Sequence, residues 1–343
     1  MISPLVSVIV PCRNERATIG GLLDALAVQT YPLDRFEVLI ADAMSADGTR
    51  QAIAAWAATH PNLTLRVLDN PAQIIPAALN LLLAAARGAV IVRMDAHAAP
   101  ERSYIARCVA ALNAGVGDVV GGVWRVLPGG PGPLAAAIAA AAAHPLAVGD
   151  ARYRYARTAG PVDTVPFGAF SRALVERVGP YDATLEANED YELNARVRLA
   201  GGVVWLDPAI ESVYYARSTL GTLARQYARY GWWKFRMLRR HPQTLRWRQA
   251  APPLLVLGLA LLAAAAPFLG SARRALLAAL GLYGGALLGT SALVAARRGR
   301  ASFAPLMPLA VATMHLAWGW GFVMSAIASL AERTDYAPVR GHS

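Results

Sequence analysis

Cysteine is nearly absent from this 343-residue chain: Cys12 and Cys108 stand far apart, with no Cys-x-x-Cys pair. That excludes a disulfide framework and a cysteine-based zinc site. Lysine is scarcer still, Lys234 being the only one, so the net charge of +11 is carried by arginine. Charged residues make up 16% against 56% hydrophobic. This excludes a disordered chain, which needs low hydrophobicity and high charge. No Gly-x-Gly-x-x-Gly follows the first apolar strand and no Gly-x-x-x-x-Gly-Lys-Ser/Thr occurs at all. A dinucleotide oxidoreductase and a P-loop nucleotide hydrolase thereby lose their main support. Acids are missing between Ser212 and Ala250. A basic balance fits nucleic acid, anionic lipid or phosphate-bearing ligands, and the position of the charge decides among them.

The composition changes after Ala250. Pro252 to Leu269, Ala275 to Ala296 and Phe303 to Ala331 contain no charged residue. Each is close to or above the roughly 18–20 residues that carry a helix across a bilayer core. Buried core helices are the alternative, but three such runs in succession favour membrane spans. The opening Ile2–Pro11 is apolar without a basic flank and leads directly to Arg13 and Glu15, so it does not read as a signal peptide. Arginines crowd before the first run and again at Arg297, Arg298 and Arg300, with fewer at Arg273, Arg274, Arg333 and Arg340. The positive-inside rule then puts the N-terminal part in the cytoplasm and the C-terminus outside, in a multi-pass membrane protein.

Before that change, short apolar runs alternate with helical periodicity. Leu5–Val10, Phe36–Ile40, Leu63–Leu68 and Ala89–Met94 read as strands, with helices expected over Glu15–Leu26, Thr49–Ala58 and Ile74–Ala86. Such alternation predicts right-handed βαβ units and a mainly parallel, Rossmann-like sheet covered on both faces. Ligands bind such sheets beyond the carboxyl ends of the strands. Asp95-Ala96-His97 follows the fourth strand. In extended backbone, residues two apart point the same way, so a carboxylate and an imidazole can reach one ion. That pair suits Mn²⁺ or Mg²⁺ bridged to a diphosphate, the histidine tilting the choice toward Mn²⁺. Equally open from spacing is an Asp95 that caps a helix starting near Glu101, with His97 a bystander. Glu189-Asp190 opens a helical stretch; paired acids there suit the helix dipole, or one of them serves as a general base.

Together these segments resemble the inverting family 2 glycosyltransferases of the GT-A nucleotide-diphospho-sugar transferase fold, over roughly the first 240 residues. Val8-Ile9-Val10-Pro11-Cys12-Arg13-Asn14-Glu15 is similar to the family's first strand and nucleotide loop. Asp42-Ala43-Met44-Ser45-Ala46-Asp47-Gly48-Thr49 resembles its DDGSxDGT segment, and Ala77-Ala78-Leu79-Asn80 with Arg87-Gly88 the helix before the metal strand. Asp95-Ala96-His97 stands at the DxD motif and Glu189-Asp190 at the ED motif. Arg93 to His97, Pro166 to Phe170 and Asn188 to Asn194 resemble more narrowly the glucosyltransferases of succinoglycan biosynthesis, which extend a polyprenyl-diphosphate-linked saccharide. The resemblance implies Pro11, Arg13, Glu15, Asp42 and Asp95 around the nucleotide sugar, a divalent metal at Asp95 and His97, and Asp190, beside Glu189, as the base. It also implies a UDP-linked hexose donor, a β-linkage formed from an α-linked donor, and a role in exopolysaccharide or other surface-glycan synthesis. The chain departs from the family where His97 and Ala43 replace aspartates and where Ile74 to Pro76 lacks a basic residue.

Residues 216–250 combine nine basic residues' worth of charge with aromatics at helical spacing. This reads as an interfacial amphipathic helix with its arginines toward lipid phosphates. Gln226-Tyr227-Ala228-Arg229-Tyr230 resembles the Gln-x-x-Arg-Trp motif of membrane-bound polysaccharide synthases, with Tyr230 for tryptophan. Gln226 and Arg229 are neighbours on a helix face, where they and Tyr230 would meet the acceptor or a diphosphate. Pro133–Gly149 is alanine-rich and helix-forming, either an acceptor-side lid or a plain surface helix. The expected organisation is a cytoplasmic catalytic domain over 1–215, the basic segment over 216–250, three transmembrane helices over 251–332 and a tail over 333–343. Competing readings are a polyprenyl-phosphate sugar synthase and, from another class, a non-catalytic membrane scaffold or nucleic-acid-binding protein. No nucleic-acid motif is present, and the densest arginines abut the apolar runs.

Overall fold

The computed structural model describes residues 3–331. The tail assigned to 333–343, with Arg333 and Arg340, lies outside the described residues. Strands β1 (Val6–Cys12), β2 (Phe36–Asp42), β3 (Thr64–Asp69) and β4 (Val90–Arg93) are joined by helices α1 (Ile19–Ala27), α2 (Thr49–Thr59) and α3 (Ile75–Ala85). These four strands are parallel, in the order β3-β2-β1-β4. β1, β2 and β4 are buried along their whole length, as near-continuous Val/Ile/Leu runs require when both faces are covered. Helix α1 starts at Ile19 rather than Glu15, because the Glu15 carbonyl accepts from the Thr18 and Ile19 amides and so closes a loop first. The Glu15 side chain is thereby left on the loop.

The second half departs from a purely parallel plan. β5 (Ala99–Pro100), α4 (Tyr104–Asn113), β6 (Val119–Pro128), α5 (Pro133–Ala142), α6 (Pro145–Val148), β7 (Gly160–Pro161), β8 (Ala169–Ser171), α7 (Arg172–Val178), α8 (Glu189–Leu199) and β9 (Val204–Ala216) follow. β8 joins β4 to β6 with antiparallel pairing on both sides, whereas β6 and β9 run parallel. The resulting nine-stranded sheet is mixed.

α9 (Leu220–Arg240) precedes three helices long and apolar enough to cross a membrane: α10 (Trp247–Ala265), α11 (Gly270–Arg298) and α12 (Phe303–Ala331). Their surfaces carry exposed leucines, among them Leu254, Leu261, Leu277, Leu282 and Leu288, the arrangement expected where lipid rather than water is the neighbour. α10 begins five residues before the charge-free run and keeps Pro252 and Pro253 within it.

Two sequence expectations change here. The apolar face of α9, expected against lipid, lies on α12: a Cβ on Gly231 would come within 2.0 Å of the Trp318 carbonyl oxygen, and one on Gly321 within 2.0 Å of that of Ala228. Only glycine allows backbones so close. Phe235 meets Phe322 edge-on at 5.2 Å beside this crossing. The alanine-rich segment is not a surface helix either. α5 is buried from Ala137 to Ala142 in the cluster that contains Met307, Val311 and Met314 of α12, its methyl groups letting the two helices close on each other. The mixed sheet is thus joined to the apolar helices through α5 and α9.

Candidate active site

β4 ends on Arg93, and the backbone then leaves the sheet. Asp95 to Ala98 form a turn closed by the Ala98 amide on the Asp95 carbonyl, so Asp95 and His97 do not share the extended backbone assumed from their spacing. The side chains nevertheless converge, with His97 Nε2 4.0 Å from Asp95 Oδ2. Helix α4 begins only at Tyr104, after β5 and with Ser103 as its N-cap, so Asp95 does not cap it. His97 Nδ1 donates to Glu15 Oε1 at 2.9 Å. This bond raises the His97 pKa, burial opposing it. Burial pushes the Glu15 carboxyl up, but hydrogen bonds from His97 and Thr18 more than offset it and leave it below its ordinary value.

α8 starts at Glu189 after Asn188, which takes the left-handed conformation with φ of 68°. Its first-turn acids meet the end of β4. Arg93 Nη2 lies 2.9 Å from Asp95 and 3.2 Å from Glu189, and Nη1 lies 3.3 Å from Asp190. The Arg93 side chain is 6% exposed. Burial works against its charge, but the three carboxylates more than offset that and hold it protonated. Burial raises the Glu189 carboxyl to about 7, with repulsion from Asp190 adding to it and Arg93 opposing. Asp190 moves up for the same first reason, again opposed by Arg93. Phe167, at φ of 51°, is held in this uncommon conformation by the Tyr104 hydroxyl donating to its carbonyl at 2.8 Å, and its ring lies 5.6 Å from the Arg93 guanidinium. Strain of this kind persists only where the surroundings over-determine it.

One cavity of about 1560 Å³ connects these groups. Glu15, Asp95, His97, Glu189, Asp190, Gln226, Arg229 and Tyr230 line it; Pro11, Arg13 and Asp42 do not. Asp42 is fully buried and accepts from the Ser45 hydroxyl and amide and from Arg50 Nε at 2.6 Å. Gln226 Nε2 donates to the Tyr214 and Tyr230 hydroxyls at 3.1 and 3.0 Å, whereas Arg229 donates to the Glu186 carbonyl at 3.1 Å. The two share the cavity but serve different partners. Arg93 was the residue whose role sequence reasoning missed. An apolar strand ending in arginine two residues before an aspartate was the available signal, and only the fold brings α8 to it.

No group of three or more His, Cys, Asp or Glu suited to a metal occurs among the described residues. Asp95 and His97 still fit a divalent ion. With Nδ1 donating to Glu15, the neutral His97 ring keeps its proton there and offers Nε2, 4.0 Å from Asp95 Oδ2, to an ion, as ligating histidines generally require. Mg²⁺-type sites commonly take one or two protein ligands, with water and phosphate oxygens completing the shell.

Residues 7–179 match Glycosyl transferase family 2. The chain is 31% identical over 323 residues to "Succinoglycan biosynthesis protein ExoA" of Rhizobium meliloti (strain 1021), covering 92% of this chain and 93% of that one. The chain belongs to family 2 of the glycosyltransferases. It is 25% identical over 252 residues to the Methanococcus voltae "Dolichyl N-acetyl-alpha-D-glucosaminyl phosphate 3-beta-D-2,3-diacetamido-2,3-dideoxy-beta-D-glucuronosyltransferase", covering 71% of this chain and 76% of that one. In fold it is similar to the mannosyltransferase PcManGT from Pyrobaculum calidifontis, solved with GDP-Man and Mn²⁺. The TM-score is 0.63 at 24% identity, over 97% of this chain and 89% of that one. This family 2 glycosyltransferase is therefore an enzyme with a GT-A catalytic fold and three helices capable of spanning a membrane. The scaffold and nucleic-acid readings fall with that assignment.

Proposed function

We propose that this glycosyltransferase moves a hexose from a UDP-sugar, with inversion, onto a polyprenyl-diphosphate-linked saccharide at the cytoplasmic face of an inner membrane, in exopolysaccharide or other surface-glycan synthesis. The observation that carries the reading is the continuity of the cavity. Its walls run from Glu15, Asp95 and His97 past Asp190 to Leu255 of α10 and Trp318 of α12. A water-soluble acceptor has no need of a route that ends on apolar helices. The relatives' names agree: one is a succinoglycan biosynthesis protein and another acts on a dolichyl phosphate saccharide. Residues 1–215 then act as the catalytic part, 216–250 as the basic segment beside the bilayer and 251–332 as the anchor.

In this reading the acceptor hydroxyl attacks the anomeric carbon in line as the bond to the nucleoside diphosphate breaks. Asp190 takes the hydroxyl proton. A base works best with a pKa near the operating pH, and burial moves Asp190 upward while Arg93 keeps it ionisable. Glu189 shares the same guanidinium and holds it in register. Asp95 and His97 would hold Mn²⁺ or Mg²⁺, which neutralises charge on the leaving diphosphate when bound. Glu15 orients His97, and Pro11, Arg13 and Asp42 support the nucleoside end. Gln226, Arg229 and Tyr230 face the acceptor side. A polyprenyl-phosphate sugar synthase is the second reading, but a phosphate nucleophile is already ionised at neutral pH and needs no base; the raised carboxylate pair favours a hydroxyl.

The test is transfer of radiolabel from a panel of UDP-sugars with Mn²⁺ or Mg²⁺ to solvent-extractable lipid in membranes containing the protein. Label is expected in an acid-labile lipid fraction. Asp190→Asn should lower transfer by roughly 10²–10⁴-fold, the usual contribution of a general base, with nucleotide binding nearly intact. Near-normal turnover of that variant refutes the base assignment. Asp95→Ala should remove metal-dependent UDP binding, and unchanged affinity refutes the metal assignment.

A further inference from the structure

We propose that Arg154 is the receptor for the lipid-borne phosphate of the acceptor, at the membrane end of the cavity. The inference rests on the lipid-linked acceptor proposed above and names the group that would recognise it. Two arginines are buried among the described residues, Arg93 and Arg154. Arg93 faces three carboxylates; Arg154 faces none among the described residues. Its Nη1 donates to the Ala142 carbonyl and its Nε to the Tyr153 hydroxyl, both at 3.4 Å, the weak end of hydrogen bonding. Nη2 has no protein hydrogen-bond partner among the described residues. A guanidinium taken from water without a counter-charge is costly, and the contacts that remain are aromatic. The guanidinium carbon lies 4.9 Å from the Trp124 ring and 5.5 Å from the Tyr214 ring, and these two rings stack at 4.2 Å.

The cavity beside this cation has donors for an anion. Arg154 lines the cavity together with Tyr214 and Tyr230, whose hydroxyls are positioned by Gln226 Nε2 and can donate to phosphate oxygens. Arginine's planar fork matches phosphate geometry. On one side the cavity wall passes to Leu255, Met314 and Trp318 of the apolar helices, a route for a prenyl chain. On the other, the Trp124 ring lies 5.9 Å from that of Phe167, which in turn carries Arg93. Two aromatic rings, Trp124 and Phe167, thus separate Arg154 from Arg93, and the cavity that Arg154, Arg93 and Asp190 all line leaves room for the saccharide beside them. Gln226 becomes a positioning residue for tyrosines rather than a ligand itself.

Phosphate chemistry also belongs to the donor, so the experiment separates the sources. Full-length protein in lipid nanodiscs is titrated with farnesyl diphosphate, farnesol, inorganic pyrophosphate, and UDP with Mn²⁺, for the wild type, Arg154→Met and Arg154→Lys. Arg154→Met is expected to weaken farnesyl diphosphate binding at least tenfold. Arg154→Lys should recover part of it, while UDP affinity stays within twofold and farnesol binds all three alike. Farnesyl diphosphate binding that is equal in the three proteins overturns the role of Arg154 and leaves the lipid-linked acceptor standing. Loss of UDP affinity alone assigns Arg154 to the donor, and pyrophosphate binding as tight as farnesyl diphosphate assigns it to a free anion; either overturns the proposal. Absence of farnesyl diphosphate binding to a wild type that binds UDP removes the acceptor reading itself. Should the variants not fold, hydrogen exchange on the wild type decides: residues 150–158 should be protected by farnesyl diphosphate and not by farnesol, and equal protection refutes the assignment.

Discussion

Replacing Arg93 by methionine removes the cation that Asp95, Glu189 and Asp190 share at 2.9, 3.2 and 3.3 Å, and pH sets the size of the consequence. Breaking a buried pair by deleting one partner costs roughly 3–5 kcal/mol, because the remaining charge is left desolvated. The carboxylates can escape part of that cost by binding protons. Glu189 already sits at about 7 through burial and then through Asp190, with Arg93 pulling the other way. Without Arg93, both Glu189 and Asp190 rise further above their unfolded values of about 4.3 and 3.9. A folded-state pKa above the unfolded one gives stability that is present below the unfolded value and lost as pH rises through the folded one. The variant should therefore approach the wild type near pH 5 and carry its full deficit above about pH 8. At roughly 2–4 °C per kcal/mol the apparent Tm gap is about 6–20 °C at pH 8.5, shrinking by more than half at pH 5. Thermal unfolding of the full chain in detergent at one fixed scan rate reads this out, since chains of this kind unfold irreversibly. A gap that does not change with pH, or one under about 2 °C at pH 8.5, refutes the account of Arg93 as the shared counter-charge.

Glu15→Gln should remove the charged partner of His97 Nδ1 and weaken Mn²⁺-dependent UDP binding by about 10–100-fold, the usual effect of losing the partner that orients a metal-binding histidine; calorimetry at matched metal concentrations checks it, and unchanged affinity speaks against His97 as a ligand. Gly231→Leu should separate α9 from α12, because even a Cβ there meets the Trp318 carbonyl at 2.0 Å. Limited proteolysis in detergent is expected to cut within residues 220–240 in that variant and to spare the wild type, whereas Gly221→Leu, in open space on the same helix, should behave as wild type.

The alternation of strands and helices up to β4, the three apolar helices and the family itself were legible because each is local: burial on both faces writes an unbroken Val/Ile run, and a bilayer core demands length and absence of charge. The boundaries shifted where backbone groups had other partners, as at Glu15, whose carbonyl holds the Thr18 and Ile19 amides before α1 begins. The mixed half of the sheet was not legible. β5, β7 and β8 are two or three residues long, too short to show a period. Asn80 was read as part of a motif, yet it bonds the amide and carbonyl of Tyr181, 101 residues away, and so fixes the segment that leads into α8.

By itself the sequence determined which chemistry is available: acids after strand ends, a histidine two residues from an aspartate, an arginine-rich segment before apolar runs. These follow from residue type and spacing, which act over one turn or one strand. The tertiary structure decided which of those groups meet. It brought Glu189 and Asp190 to Arg93 across 96 and 97 positions of chain and sank Arg154 among aromatics, without a carboxylate partner among the described residues. It also covered α9 with α12 instead of leaving that face to lipid alone. Charge pairing and desolvation depend on distance in space, and no local pattern encodes which distant element will supply a neighbour.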